Sequence, residues 1–164
     1  MTQRLQRFAI ASAIALILIV TSYTIWQFER TLADGQIVNI ELAPVDPRSL
    51  MQGDYMALAF AIDRDLPDDA AQYKFAWLSL DNQQRASLHS VANDLPTDPA
   101  LVAVLLRQRD NIISIGPNAF FFAEGTADVY EQARYGQFRI AGNGKALLTV
   151  MLDAELNLLG DNLR

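Results

Sequence analysis

The sequence contains no cysteine and only one histidine, His89. Without cysteine the chain cannot form a disulfide, and it cannot use a thiolate as a nucleophile or as a metal ligand. A zinc site needs several nitrogen or sulfur ligands, and a single histidine cannot supply a pair of them. A serine–histidine–aspartate triad would have to use His89, which falls on a predicted strand at a position facing outward. These absences favour a protein without a metal site or thiol chemistry.

Basic residues are also scarce. The 164 residues include 13 lysines and arginines against 19 aspartates and glutamates. From residue 30 onward the counts are 11 basic and 18 acidic, with no basic patch among them. Nucleic acid is therefore not an expected partner, and this part of the chain is not expected to adhere broadly to anionic lipid headgroups. No glycine-rich phosphate loop occurs, and we expect no cofactor.

The first thirty residues hold one long uncharged run. Residues 8–28, FAIASAIALILIVTSYTIWQF, lack any charge and show no polar stripe. At ~1.5 Å per residue the run matches the ~30 Å hydrocarbon core of a bilayer. Tyr23, Trp26 and Phe28 gather at its far end, where aromatic rings suit the headgroup layer. The run predicts a transmembrane helix in contact with lipid.

The flanks of this run predict its orientation. Arg4 and Arg7 precede the run without an acid, whereas Glu29 and Arg30 cancel each other after it. The positive-inside bias then places the N-terminus in the cytoplasm and the rest of the chain across the membrane. We expect an anchor over residues 1–30 and an extracytoplasmic domain over residues 31–164. A cleaved signal peptide is the alternative, although its apolar region is usually ~7–15 residues long.

Beyond residue 35 the pattern is mostly that of strands. Short turn signals predict three hairpins, with turns at residues 81–83, near residues 110–111 and at the dipeptide Asn143-Gly144. Helical spacing predicts a helix from Thr126 to a stop at Gly136, and a short helical patch over residues 67–73. The expected fold is mainly β (α+β), an antiparallel β-rich domain built from hairpins with one or two short helices.

Residues 44–60, PVDPRSLMQGDYMALAF, concentrate special residues before an apolar run. Asp46 is a favoured helix N-cap, and Pro47 suits the first helical position after it. Gly53 stands where a left-handed residue would end one or two helical turns. A strand is then predicted from Asp54, and backbone geometry alone accounts for this density of special residues.

Alternation along that strand predicts which side chains enter the core. Met56, Leu58 and Phe60 share a face that we expect to be buried. Tyr55 lies on the opposite face together with alanines, and its hydroxyl needs a partner there.

At this point a family resemblance becomes visible. GDYMALAF resembles the motif that names the GDYXXLXY family, and PVDPRSLMQ resembles the segment preceding it. The family's later Glu-Gly and Glu-x-Ala-Arg segments are matched by Glu124, Gly125, Glu131, Ala133 and Arg134, and GNGKALLTVML resembles its closing hairpin. This chain has Phe60 where the motif ends in tyrosine. The resemblance implies a bacterial membrane-anchored protein, often accompanied by polytopic membrane proteins, and implies no established activity.

Two functions remain open from the sequence, and the first is binding. The chain would be a binding or assembly module held beside a polytopic membrane protein. The candidate contact residues come from the motif, its lead-in and the later acidic segment; they are Asp46, Pro47, Arg48, Gly53, Asp54, Tyr55, Leu58, Phe60, Glu124, Gly125 and Glu131. Taken singly, the polar residues also have local explanations, since Asp54 could bond its own turn or pair with Arg48.

The second function is hydrolysis by a membrane-anchored enzyme of signal-peptidase-like type with Ser49 as nucleophile. Such an enzyme needs a buried lysine with a lowered pKa as its base. The candidates are Lys74 and Lys145, which open a strand and follow a hairpin turn, positions typical of solvated lysines. We therefore favour a non-catalytic role.

Overall fold

The computed structural model describes residues 2–43, 55–109 and 112–159, with the backbone alone for residues 2–6 and 109. The chain divides into two compact units, residues 1–34 and residues 35–164.

The first unit is one helix, α1 (Thr2–Asp34). Its segment Arg7–Asp34 is long and apolar enough to cross a membrane, and its apolar side chains are exposed. Among the described residues it is the one helix with this property. The helix ends immediately before Gly35. Near this end the Tyr23 and Trp26 rings lie 6.0 Å apart, and the Arg30 guanidinium lies 5.4 Å from the centre of the Trp26 ring.

The second unit is built from eleven described strands and one short α-helix. In chain order these are β1 (Gln36–Glu41), β2 (Tyr55–Ala57), β3 (Phe75–Leu80), β4 (Ala86–Ala92), β5 (Leu101–Leu105), β6 (Arg107–Arg109), β7 (Ile112–Ser114), β8 (Ala119–Phe121), α2 (Ala127–Tyr130), β9 (Tyr135–Ile140), β10 (Ala146–Leu152) and β11 (Leu158–Leu159). Single 3₁₀ turns occur at Ala61–Arg64 and Ala70–Gln72.

All strand pairs within the sheets are antiparallel, which confirms the predicted fold class. One sheet has the order β1-β9-β10-β11 and another the order β4-β3-β5, while β2 pairs with β8 and β6 with β7. The two larger sheets bury one shared core. Its members come from both sheets and from the segments beside them: Val38, Ile40, Phe60, Ile62, Ala76, Leu78, Val102, Val104, Ile115, Phe138 and Ile140.

Asn39 links the two larger sheets at the edge of β1. Its amide N–H donates to the Gln84 carbonyl at 2.7 Å, and its side-chain nitrogen donates to the Gln83 carbonyl at 2.9 Å. Its side-chain oxygen accepts from Gln137 Nε2 at 3.2 Å. Asn39 is only 5% exposed, and a buried amide is tolerated there because its donor and acceptor are both used.

Three hairpins close with the same five-residue turn. The amide of the first residue donates to the carbonyl of the fifth, in the pairs Asp81–Arg85, Ala141–Lys145 and Asp153–Asn157, and the amide of the fourth residue donates to the carbonyl of the first. The fourth residue has positive φ in each, and it is Gln84, Gly144 and Leu156 respectively. This geometry is a type I turn with a bulge residue. The turns predicted at residues 81–83 and 143–144 are confirmed.

Aspartate begins the two turns whose fourth residue is not glycine. The Asp81 carboxylate accepts from the Gln83 and Arg85 amides, and the Asp153 carboxylate accepts in the same way from Glu155 and Asn157. Hydrogen bonds to the ionised form lower the pKa of both carboxyls.

The predicted helix from Thr126 to Gly136 is wrong in length. Thr126 occupies the N-cap position, but its hydroxyl donates back to the Ala123 carbonyl and α2 ends at Tyr130. Gly136 does not stop a helix and instead lies within β9, opposite Ile40 and Met151. Tertiary pairing with β1 and β10 takes this segment into the sheet.

The strand predicted from Asp54 is also shorter than expected, because the chain leaves β2 after Ala57 and turns at Ala61–Arg64.

The hairpin predicted around residues 110–111 is correct only next to its turn, where β6 pairs with β7. Farther out, β5 pairs with β3 and β8 pairs with β2. The ladder is interrupted where the Ser114 hydroxyl and the Ile115 amide bind Asp63, just before Pro117, which has no N–H to donate.

Candidate functional site

The candidate site lies on the two-stranded sheet formed by β2 and β8. The lead-in residues Asp46, Pro47, Arg48, Gly53 and Asp54 lie outside the described residues, as does Ser49, so the helical turn assigned to them stays a prediction. The remaining candidates fall on described positions.

The outward face of this sheet carries two aromatic rings. Tyr55 stands opposite Phe121 in the antiparallel register, and their ring centres are 5.7 Å apart. Tyr55 is 36% exposed and Phe121 is 73% exposed. We call Tyr55 and Phe121 the aromatic pair. Two exposed rings in contact form an apolar surface with polarisable faces, which suits contact with a protein partner.

The inward face of the same sheet is packed into a second core. Met56, Phe120, Tyr130, Ala133 and Met151 form this cluster. The Tyr130 ring meets Phe120 edge-on at 5.3 Å and stacks on Phe122 at 5.1 Å. The alternation predicted for Tyr55 and Met56 is therefore confirmed, and the aromatic pair stands on a firmly packed base.

Sequence reasoning missed Phe121. A usable signal was present in the run Phe120-Phe121-Phe122, because alternate residues of a strand face opposite sides. Two of these rings pack on Tyr130, so the middle one has to point away from the core.

The last two motif positions are structural. Leu58 packs against both core clusters, and Phe60 is only 1% exposed. The Phe60 ring meets Phe138 edge-on at 5.5 Å. It occupies space left by Gly116, because a Cβ added there would lie 2.4 Å from Phe60 Cε2.

Glu124 and Gly125 form a turn directly after β8. The Thr126 amide donates to the Ala123 carbonyl at 3.1 Å, and Gly125 has a φ of +80°. A type II turn requires positive φ at this third position, which explains the glycine. The Glu124 side chain is exposed at the second position of the turn.

Glu131 is exposed at the end of α2, as is Asp128 within the helix. The segment 122–133, which Arg134 follows, therefore presents three exposed acids (Glu124, Asp128 and Glu131) and contains no lysine or arginine. We call this segment the acidic segment. It continues directly from the strand that carries Phe121.

Asp63 is a second residue that the sequence patterns do not single out. Its carboxylate is partly buried, accepting from the Ser114 hydroxyl at 2.8 Å and from the Ile115 amide at 3.1 Å. Burial raises the pKa of this carboxyl above its usual range, and the hydrogen bonds oppose that shift only in part. Asp63 holds the backbone next to Gly116, and so next to Phe60.

The raised pKa of Asp63 predicts a pH dependence of stability. The native state binds the Asp63 proton more tightly than the unfolded chain does. The resulting stabilisation of the fold is complete below the ordinary pKa of 3.8 and is lost as the pH rises through the higher native pKa. We expect the stability of the wild type relative to Asp63→Asn to fall from pH 3.5 to pH 7. Urea unfolding of both chains in nonionic detergent micelles would measure this difference in unfolding free energy. The pH-dependent contributions of Asp81 and Asp153 are the same in both chains and cancel. A difference that stays constant or rises with pH would contradict this assignment.

The residues considered for hydrolytic chemistry are solvent-exposed where they are described. Lys74, Lys145 and His89 are all exposed. Lys74 lies over the Phe75 ring at 5.2 Å, and neither lysine has the burial that the proposed base requires. Across residues 2–43, 55–109 and 112–159 no group of three or more acidic or histidine side chains could hold a metal ion.

A comparison with protein families finds one match. The model described as "GDYXXLXY protein" matches residues 17–151, which is most of the chain and includes both strands of the site. No curated protein and no solved structure matches the chain.

Proposed function

Because the chain belongs to the GDYXXLXY family and carries a helix able to span a membrane, we propose that it is a membrane-anchored binding or assembly module working beside a polytopic membrane protein. The observation that carries this proposal is the exposed aromatic pair on the family's own motif strand. Large exposed apolar side chains in contact on a packed base are typical of protein interaction sites.

The position of the partner follows from the anchor. In this proposal Arg4 and Arg7 keep the N-terminus in the cytoplasm of a bacterium, and the inner membrane holds α1 as a single span. The domain then lies on the periplasmic side. Only Gly35 separates α1 from β1, so the anchor favours a partner embedded in the same membrane.

The charge of the acidic segment supports a protein partner over a lipid surface. Three exposed acids adjoin the strand of Phe121, and anionic headgroups would repel them. Tyrosine and phenylalanine, in contrast, are enriched at protein interfaces.

A photo-crosslinking phenylalanine derivative at Tyr55 in the full chain, which keeps an aromatic ring at this position, tests the proposal. In native membranes we expect an adduct with one polytopic membrane protein. Leu95 provides a matched control, since it is also an exposed apolar side chain, at 45%, but lies in the loop that follows β4. The same probe at Leu95 should give no such adduct. Equal adducts at both positions, or none at Tyr55, would refute the proposed function.

A further inference from the structure

The edges of the sheets differ in how they are closed. β1 is bonded to Gln84 through the Asn39 amide, and the Leu105 amide of β5 donates to the Gly144 carbonyl at 2.9 Å. β4 contains a bulge at the register shift beside Trp77, and β10, which β11 covers at Met151 and Leu152, contains one between Leu148 and Val150. Bonds to neighbouring segments and bulges both hinder the addition of a further strand.

The edge of β8 has none of these features. The Leu58 amide donates to the Asn118 carbonyl at 2.9 Å, so alternation turns the Phe120 backbone toward β2 and the Ala119 and Phe121 backbones away from it. Within the described residues no strand pairs with this outer side. β8 also contains no charge, proline or bulge. Its outer edge therefore offers N–H and C=O groups for strand addition.

The surroundings of this edge select the chemistry of the added strand. Glu124 follows Phe121 by three residues, so the two Cα atoms lie at most about 10 Å apart. A second copy added across a two-fold axis at Phe120 would set residues 115–118, which contain no lysine or arginine, beside Glu124. A lysine or arginine can instead lie over the exposed rings of the aromatic pair and also meet the carboxylate of Glu124.

We propose that the partner adds an extended segment to the outer edge of β8, and that a lysine or arginine of this segment lies over Tyr55 and Phe121 and pairs with Glu124. This inference rests on the proposed function and names how the partner binds. The backbone bonds supply the register, and the basic residue selects the partner.

Replacing Ala119 with proline tests the strand addition. Proline removes the outward N–H of the edge but leaves the inward bonds of Phe120 to β2. The adduct formed from the Tyr55 probe in native membranes should fall about tenfold, as expected from the loss of one strong hydrogen bond and the added steric block. Ala119→Gly retains the N–H and is the matched control, with the adduct expected to persist. Melting of each variant, followed by Trp77 fluorescence, checks that the domain is folded.

Charge exchange provides a test that does not alter the backbone. Glu124→Lys should lower the adduct yield about threefold to tenfold. Changing the basic residue of the crosslinked partner segment to glutamate should restore the yield in the Glu124→Lys chain. Hydrogen exchange should show fast amides at Ala119 and Phe121 in the purified full chain and slow amides in the crosslinked complex.

The outcomes separate this inference from the proposed function. An adduct with a membrane protein that survives both Ala119→Pro and Glu124→Lys would overturn the strand addition and leave the binding role intact. An adduct with a second copy of this chain, or slow exchange at Ala119 and Phe121 in the purified chain, would overturn the inference. Absence of any protein adduct would overturn both.

Discussion

Replacing Phe60 with alanine is expected to lower the free energy of unfolding by about 3–5 kcal/mol, the usual cost of deleting a fully buried phenylalanine ring. The ring is 1% exposed and fills the space between Phe138, Gly116 and Gly136. Alanine would leave a cavity that a packed core closes only in part, because the sheets on either side hold each other in place. A loss of this size is a large share of the ~5–15 kcal/mol that stabilises a typical domain.

Tyr55→Ala is the matched control, since Tyr55 belongs to the same motif but faces outward. We expect it to change stability by less than about 1 kcal/mol while abolishing partner binding. Urea unfolding of the full chain in nonionic detergent micelles measures the stability of both variants, with Trp77 fluorescence as the probe in a Trp26→Phe background. A small effect of Phe60→Ala together with a large effect of Tyr55→Ala would reverse the roles assigned to these two residues.

Replacing Gly116 with alanine is expected to cost about 1–3 kcal/mol through overpacking. The new Cβ would lie 2.4 Å from Phe60 Cε2 and 2.7 Å from Phe60 Cζ. Phe138 Cζ also lies 3.2 Å from this Cβ position, and the Phe138 ring is in contact with Phe60, so little room is left for relief. The bonds of the Ser114 hydroxyl and the Ile115 amide to Asp63 fix the backbone nearby.

Two variants define the origin of this cost. Gly142→Ala is the control, because no atom lies within 4 Å of a Cβ built there, and we expect little change. Leucine at position 60 lacks atoms at the Cε2 and Cζ positions, so Gly116→Ala should cost less than about 0.5 kcal/mol in the Phe60→Leu background. An equal cost in both backgrounds would show that backbone strain, and not the contact with the ring, is responsible.

Local signals in the sequence were sufficient for several elements. The uncharged run predicted α1 because helix length and side-chain polarity are set within the segment itself. The turns at Asp81 and Asn143-Gly144 were predictable for a similar reason, since a short polar side chain or a glycine satisfies the turn backbone locally. Alternation also predicted that Met56 and Phe60 are buried while Tyr55 faces out.

Other predictions failed where distant residues compete for the same backbone. Gly136 has the local marks of a helix stop, yet β1 and β10 bind its segment as a central strand. The predicted hairpin around residues 110–111 splits because Asp63, from far along the chain, takes the Ser114 hydroxyl and the Ile115 amide. No pattern within either segment announces such a partner.

The sequence by itself determined that this chain carries a membrane-spanning candidate helix, a β-rich domain without cysteine, and the motif of its family. Composition and period suffice for these properties because each depends on residues that are neighbours in the chain. Only the tertiary structure decided that β2 pairs with β8, which places Phe121 beside Tyr55 and leaves the outer edge of β8 unpaired among the described strands. Strand pairing across more than sixty residues depends on how both faces pack, and packing is a property of the assembled core.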